Sequence, residues 1–213
     1  GALLDEIQFE NDVIFIIAGT NATVSKGKRK KIGAPADSLN SVVVNSVDFN
    51  NQAVPYSREG IILSFFVKPD ISYYGGGNGD FINVCEPLGL GRVAGTSFAV
   101  PFIARKMAYL IHIMGLSREE AKAVIIDSAI PWNDKKTFAE LSLIGNGIVP
   151  IKIDDILSTP EDEIKFIVSD ISKAYDTYNY DFPVPISNEN YPYVAKATMC
   201  YFPNCSRNQG VDY

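Results

Sequence analysis

The sequence predicts an α/β domain with a mainly parallel sheet, followed by the beginning of a β-rich domain. Two apolar runs rich in β-branched residues, at 12–18 (DVIFIIA) and 41–47 (SVVVNSV), are typical of buried parallel strands. Residues 98–114 carry apolar side chains at helical spacing. In the last quarter of the chain, tyrosines and prolines cluster between stretches of alternating apolar residues. We therefore divide the chain into residues 1–153 and residues 154–213.

The composition restricts the classes of partner. The 213 residues are 46% hydrophobic and 21% charged, which is an ordinary globular balance. The net charge of -6 argues against a nucleic-acid partner, because nucleic-acid binders usually carry a basic surplus. No apolar run approaches the ~18 residues that span a bilayer, so no membrane partner is expected. The single histidine excludes any site that is built from several imidazoles.

The predicted strands end in polar turns. The first strand stops at residues 19–21 (GTN), which are typical turn residues. A third apolar run, 61–67, is ended by residues 68–70 (KPD). Near the end of the first domain, the turn 145–147 (GNG) precedes a strand-like stretch at 148–153.

Two helices are predicted in the middle of the chain. The first covers residues 98–114, and Gly115 is a favourable stop. The second begins after Ser117, whose hydroxyl can cap the helix, and Glu120 completes a capping box. It continues to Ala129.

The extension is predicted to contain strands. Alternating apolar residues occupy 163–169 and 193–202, and residues 195–202 (AKATMCYF) form the last predicted strand. The two domains are expected to join near residues 158–160.

Two loops and the cysteines leave alternatives open. Residues 26–31 (KGKRKK) are expected to form a solvated loop, and a phosphate or nucleic-acid patch is the alternative. Residues 75–80 (GGGNGD) predict a flexible loop. Calcium binding is the alternative, but the segment is one residue out of step with a calcium-binding glycine repeat and occurs once. The three cysteines allow one bridge, between Cys200 and Cys205 if the loop folds back, or free buried thiols.

Ser97 is the best candidate for chemistry. It lies at the predicted start of a long apolar helix, where free backbone N–H groups and the positive end of the helix dipole favour developing negative charge. Gly95 allows a close backbone approach, and Pro101 is expected in the first helical turn, where its missing N–H is not needed. The alternative is that Ser97 is only a helix cap.

The segment around Ser97 resembles the nucleophile motif of subtilisin-like serine proteases, the subtilases, which is usually G-T-S-x-A-x-P. Further segments resemble that family in unbroken order, from about residue 8 to residue 153. They are the strand 12–18 with its turn, GAPADS at 33–38, YSREG at 56–60, KPDI at 68–71 and GNGIV at 145–149. The resemblance implies a three-layer domain with a mainly parallel sheet, of which about half is expected here.

The resemblance also implies functional roles. Ser97 aligns with the nucleophile, and Asn21 is the candidate for the side-chain oxyanion donor. The family has an asparagine directly after the glycine, whereas here Thr20 intervenes, so Thr20 is the alternative donor. Gly19 and Gly33 are expected to leave room for the substrate side chain that precedes the scissile bond.

The remaining implications of the resemblance concern local conformation and partners. The Ala34–Pro35 bond matches a cis proline of the family. The expected partner is a peptide or protein substrate. No cofactor is implied, and structural calcium is compatible with the family although no pattern here indicates it.

The other two members of a Ser-His-Asp triad are not found. His112 lies 15 positions after Ser97 on the same predicted helix. At about 1.5 Å per residue, the two are about 22 Å apart, whereas a base must lie within about 3 Å of the hydroxyl. Both ends of the sequence look cut, so we expect the C-terminal half of a peptidase domain that is inactive in isolation.

Two further expectations follow. The strand at 12–18 would lack its usual neighbour, so the fragment is expected to self-associate through that edge. The alternative function is a non-catalytic binding module on a subtilase fold, which the altered turn 19–21 favours. The extension resembles, more weakly, the β-sandwich extensions of some bacterial subtilases.

Overall fold

The computed structural model describes residues 1–24, 27–63, 66–132, 136–171, 173, 175–183 and 194–204. The elements follow one another as α1 (Ala2–Glu10), β1 (Ile16–Ala18), β2 (Val42–Val47), β3 (Ile62–Leu63), β4 (Phe66–Val67), β5 (Ile71–Tyr74), β6 (Ile82–Glu86), β7 (Gly89–Val93), α2 (Thr96–His112), α3 (Arg118–Ala129), α4 (Phe138–Ile144) and α5 (Asp154–Leu157). No helix among the described residues is long and apolar enough to cross a membrane.

A parallel sheet forms the centre of the molecule. Its strands run in the order β1-β2-β5, with Ala18 paired to Val44 and Val44 paired to Ile71. A parallel bridge from Ser72 to Ile148 continues the sheet beyond β5. The strands β3 and β4, and likewise β6 and β7, form separate antiparallel hairpins. The predicted α/β class with a parallel sheet is therefore confirmed.

Both faces of β2 are buried, as a parallel central strand requires. Val42 and Val44 pack against the helices α2 and α3, in a core that also contains Ile103, Leu110 and Ile125. The intervening Val43 points to the opposite face and packs against Ile32, Ala36 and Ile17. The three consecutive valines at 42–44 thus reflect burial on two sides.

The local patterns predicted several elements correctly. The strand at 41–47 is β2, and the helix at 98–114 is α2, which begins two residues earlier than expected. The second helix is confirmed together with its capping box, in which Ser117 accepts from the backbone of Glu120. The Ala34–Pro35 bond is cis, as expected.

Two strand predictions in the first domain need correction. The first strand is shorter than 12–18, because Gln8 Oε1 of helix α1 takes the backbone N–H of Phe15 before β1 begins. The stretch 148–153 is not a strand, since beyond the bridge at Ile148 its backbone has no partner ladder among the described residues. The apolar run 61–67 contributes to the short hairpin β3–β4.

The strands predicted in the extension are wrong for the residues that the structure describes. Residues 163–169 and 195–202 do not form strands. A strand requires a partner for its backbone groups, and Phe166, Ile167 and Val168 are instead each about half exposed (46%, 50% and 47%). The division into domains at residue 153 stays a prediction.

A buried ion pair joins the sheet to the segments around it. Lys68 Nζ lies 2.6 Å from Asp70 Oδ2, and it also donates to the carbonyl of Ser41 at 2.8 Å. Burial lowers the pKa of the Lys68 ammonium to about 8, although the Asp70 carboxylate opposes this shift. The second donor to Asp70 Oδ2 is the backbone N–H of Val43, at 2.7 Å.

Replacing Lys68 with methionine should destabilise the fold by about 3–5 kcal/mol, because the buried Asp70 carboxylate would lose its cation. The free energy of unfolding in urea measures this loss. Lys152→Met is the matched control, since Lys152 is exposed, and it should change stability by less than about 0.5 kcal/mol. Equal losses for the two variants would contradict the structural role of Lys68.

Candidate active site

The carboxyl ends of the parallel strands gather the candidate residues. Residues 19–21 follow β1, Asp48 follows β2 and Gly75 follows β5. The helix α2 begins at the same edge, because the N–H of Gly95 donates to the carbonyl of Gly75 at 2.9 Å. In open parallel sheets, ligands usually bind at this edge.

Asn21 holds the first turn of α2. Its Oδ1 accepts from the backbone N–H of Thr96 at 3.1 Å and from the Thr96 hydroxyl at 2.9 Å. Its Nδ2 faces Gly95, where an added Cβ would lie 2.9 Å from that nitrogen. The side chain thus caps the helix from a distant turn and brings its amide nitrogen close to the residues before Ser97.

Ser97 lies in the first turn of α2 and is exposed to solvent. Its backbone N–H is one of the first four N–H groups of the helix, which have no acceptor within the helix. Pro101 lies inside the helix, so its predicted place in the first turn was wrong. Because proline has no N–H, the carbonyl of Ser97 also lacks its usual partner four residues on.

Thr20 adopts an unusual backbone conformation. Its φ is +71°, a left-handed value that is strained for a β-branched residue. Its hydroxyl donates to the carbonyl of Gly19 at 2.6 Å. The hydroxyl is therefore used within the turn, whereas the side chain of Asn21 reaches the helix.

The two candidate pocket glycines differ in their surroundings. A Cβ at Gly19 would lie 1.9 Å from Asn45 Oδ1, so the buried Asn45 fills the space beside Gly19 in this chain. The amide of Asn45 is fixed by the carbonyls of Arg58 and Leu143. Nothing lies within 4 Å of a Cβ at Gly33, where the space is open.

An open surface groove of about 630 Å³ lies beside Asn21. Its lining residues are Asn21, Ala22, Thr23, Val24, Pro55, Tyr56 and Asn78. The hydroxyl of Tyr56 lies 2.9 Å from Ser46 Oγ and donates to the carbonyl of Gly75 at 3.2 Å. Burial raises the pKa of Tyr56, so this phenol stays protonated at neutral pH. The motif at 56–60 was noted in the sequence, but its tyrosine was not recognised as part of the site.

The basic loop is partly used for structure. Arg29 donates to the carbonyls of Val54 and Ser57 at 2.7 and 2.9 Å, and Lys31 pairs with Glu59 at 3.0 Å. Lys26 lies outside the described residues. The structure therefore gives Arg29 and Lys31 partners within the chain.

The single histidine, His112, lies too far along α2 to contact Ser97. His112 is exposed at the far end of α2. Burial opposes ionisation of Asp48, but donors from Asn78, Gln52 and Asn50 outweigh this and lower its carboxyl pKa.

Within the described part of the chain, no group of three or more His, Cys, Asp or Glu residues is arranged to hold a metal ion. Cys85 and Cys200 are free thiols, and Cys205 lies outside the described residues.

The chain is similar to known proteases. The model of the subtilase family matches residues 2–147. The prenylagaramide maturation protease PagA is 25% identical, with a TM-score of 0.53 over 71% of this chain and 52% of that chain. The epidermin leader peptide processing protease EpiP from Staphylococcus aureus is 18% identical, with a TM-score of 0.57 over 77% of this chain and 44% of that chain.

A further solved structure has the same fold. The patellamide maturation protease PatA is 21% identical, with a TM-score of 0.52 over 71% of this chain and 52% of that chain. The chain thus spans about half the length of these solved proteases. No curated protein matches the sequence.

Asn21→Ala should lower the free energy of unfolding by about 1 kcal/mol, because the N–H and hydroxyl of Thr96 lose their acceptor. Asn21→Asp keeps an acceptor at the positive end of the helix, so stability should stay within about 0.5 kcal/mol. Urea unfolding of both variants distinguishes the cases. If aspartate destabilised the fold as much as alanine does, the capping role would be refuted.

Proposed function

Because the chain belongs to the subtilase family, we propose that it forms the part of a serine endopeptidase that carries the nucleophile, Ser97. The Ser97 hydroxyl attacks the scissile carbonyl and forms an acyl-enzyme, which water then hydrolyses. The observation that carries this proposal is the contact of Asn21 with Thr96, the neighbour of Ser97.

The oxyanion of the tetrahedral intermediate is stabilised by two donors in this proposal. One is Asn21 Nδ2. Because Oδ1 of the same amide accepts from Thr96, the orientation of the amide is set before substrate binds. The other is the backbone N–H of Ser97 in the first turn of α2. The bond from the Thr20 hydroxyl to Gly19 favours Asn21 over Thr20 as the side-chain donor.

The general base comes from outside these 213 residues. His112 is the single histidine, and at about 1.5 Å per residue it lies about 22 Å from Ser97 along α2. A base has to reach the nucleophile at about 3 Å. We infer that these residues alone do not hydrolyse peptides by a triad, and that an aspartate and a histidine complete the site in the whole protein.

The substrate is a peptide or protein, whose residue before the scissile bond lies next to Gly33. The open space beside Gly33 supports this role. Gly19 has a second reason to be glycine, since Asn45 occupies the position of a side chain there. We therefore assign Gly19 to the close approach of the Asn45 side chain and Gly33 to the substrate.

A non-catalytic binding module is the second candidate function. It is favoured by Thr20, which separates Gly19 from Asn21 and departs from the family pattern. The two candidates differ in whether a complete site activates Ser97, and a probe of that serine separates them.

The 213-residue chain should not react with a fluorophosphonate probe, because its single histidine lies too far along α2 to activate Ser97. The whole protein should react and should cleave casein, and Ser97→Ala should abolish both. Triad-level cleavage of casein by the 213-residue chain alone would contradict the proposed source of the base. A folded whole protein that is unreactive with the probe would favour the binding module.

Asn21→Asp supplies the matched variant for the oxyanion role. It keeps the acceptor for Thr96 but replaces the amide donor, so kcat of the whole protein should fall by about 10²–10³ while stability is retained. Thr20→Ala should leave kcat within about threefold by the same reasoning. The reverse ranking of the two variants would transfer the donor role to Thr20.

Self-association through β1 is the last part of the proposal. Within the described residues, β1 has a neighbour only on the β2 side, and its outer N–H and C=O groups can pair with a second copy. Phe15 and Gly19 bond to β2, so the backbone groups of Ile16 point outward.

The 213-residue chain should show a concentration-dependent dimer in sedimentation velocity, and Ile16→Pro should weaken it by removing an outward N–H. Ile167→Pro, in the exposed extension, is the matched control and should not change association. A monomer at all concentrations would count against pairing at this edge.

A further inference from the structure

We propose that residues 194–204, called the docked segment below, are a clamp that is integral to the α/β domain and that shields the thiol of Cys200. The segment lies along α3 and contacts both ends of that helix. This assignment differs from a separate C-terminal domain, and it does not depend on the proposed catalytic function.

Lys196 fastens the docked segment to the C-terminal end of α3. Its Nζ donates to the carbonyls of Asp127 and Ile130 at 2.9 and 3.0 Å and lies 3.3 Å from Asp127 Oδ2. The same ammonium lies 4.9 Å from the centre of the Trp132 ring. Carbonyls at the end of a helix lack partners within the helix and favour a cation, so Lys196 acts as a distant C-terminal cap.

Thr198 adds a second contact at the same end. Its hydroxyl donates to Asp127 Oδ1 at 2.9 Å, while the other carboxylate oxygen faces Lys196. Both oxygens of Asp127 are therefore used by the docked segment. Such charge-assisted bonds are stronger than bonds between neutral groups.

Phe202 fastens the docked segment to the N-terminal end of α3. Its ring lies 4.5 Å from the guanidinium carbon of Arg118 and 5.4 Å from Lys122 Nζ. The same Arg118 donates to the carbonyls of Gln8 and Val13, so the aromatic contact joins a cation that already links α3 to α1.

The neighbouring Pro203 extends the contact to the turn before β2. Its carbonyl accepts from Asn40 Nδ2 at 3.2 Å. The anchors are consistent with an extended segment: the six residue steps from Lys196 to Phe202 span about 20 Å. The nine helical residue steps from Arg118 to Asp127 span about 14 Å, and the long side chains bridge the difference.

Cys200 lies between the two sets of anchors. Its side chain is partly buried, and burial raises the pKa of its thiol. Since only the thiolate is alkylated, the docked conformation protects Cys200 in two ways, by access and by ionisation. Cys85 is exposed on the hairpin β6–β7 and supplies an internal reference in the same molecule.

The test measures alkylation of Cys200 and Cys85 by iodoacetamide, read by mass spectrometry, in a chain that carries Cys205→Ser. In the otherwise unmutated chain, Cys200 should react at least about tenfold more slowly than Cys85. Lys196→Met should accelerate Cys200 by about tenfold, because losing even one charge-assisted bond shifts a local opening equilibrium by about that factor. The rate at Cys85 should not change.

Lys173→Met is the matched control, since Lys173 is an exposed lysine of the same extension. It should leave the rate at Cys200 unchanged. Thr198→Val is a milder second variant, which keeps the test available if Lys196→Met prevents folding. It should accelerate alkylation of Cys200 by a smaller factor. Equal rates at Cys200 and Cys85 in the unmutated chain would overturn the proposal, as would a rate at Cys200 that neither variant alters.

Discussion

The carboxylate of Asp70 sets the relative positions of the segments that build the site. Asp70 Oδ2 accepts from Lys68 Nζ and from the backbone N–H of Val43. The backbone N–H of Asp70 in turn donates to the carbonyl of Val43 at 2.9 Å. Its carbonyl accepts from the backbone of Asn146, also at 2.9 Å. Parallel strands have no tight turn to fix their register, and a slip of one residue would turn every side chain to the opposite face. The contacts of Asp70 fix β5 against β2 at the entry to the strand, and because its charge is buried, they depend on Lys68.

The register of the sheet determines where the helix α2 begins. With β1, β2 and β5 aligned, their carboxyl ends place Asn21 and Gly75 at one edge. Asn21 accepts from the first turn of the helix, and Gly75 accepts from Gly95 immediately before it. The helix that carries Ser97 is therefore tied to two different strands of the sheet. A Cβ at Gly75 would lie 2.7 Å from the carbonyl oxygen of Gly95, so close approach of the two backbones requires glycine there.

Local patterns predicted the parts of the structure that depend on short-range chemistry. The strand β2, the helix α2 and the capping box of Ser117 follow from residues that are close in sequence. What the patterns missed depends on distant partners. Asn45 fills the space at Gly19, and Lys196 caps a helix whose last turn lies 66–69 residues earlier in the sequence. The alternation in the extension was misread as strands because it does not reveal whether a second strand is available. Its polar side chains at 196 and 198 bond to a helix instead.

Thr20 separates Gly19 from Asn21 and departs from the family pattern, and its backbone conformation accommodates this departure. An additional residue between Gly19 and Asn21 would move the asparagine away from the helix if the turn stayed extended. The left-handed φ of +71° shortens the turn, and the Thr20 hydroxyl satisfies the carbonyl of Gly19. Such strain persists only where the surroundings impose it, and here the Gly19 N–H on Val44 and the bridge from Asn21 to Ser57 hold both sides. The strain of this turn therefore lies in the backbone of Thr20, and the turn brings Asn21 into contact with Thr96.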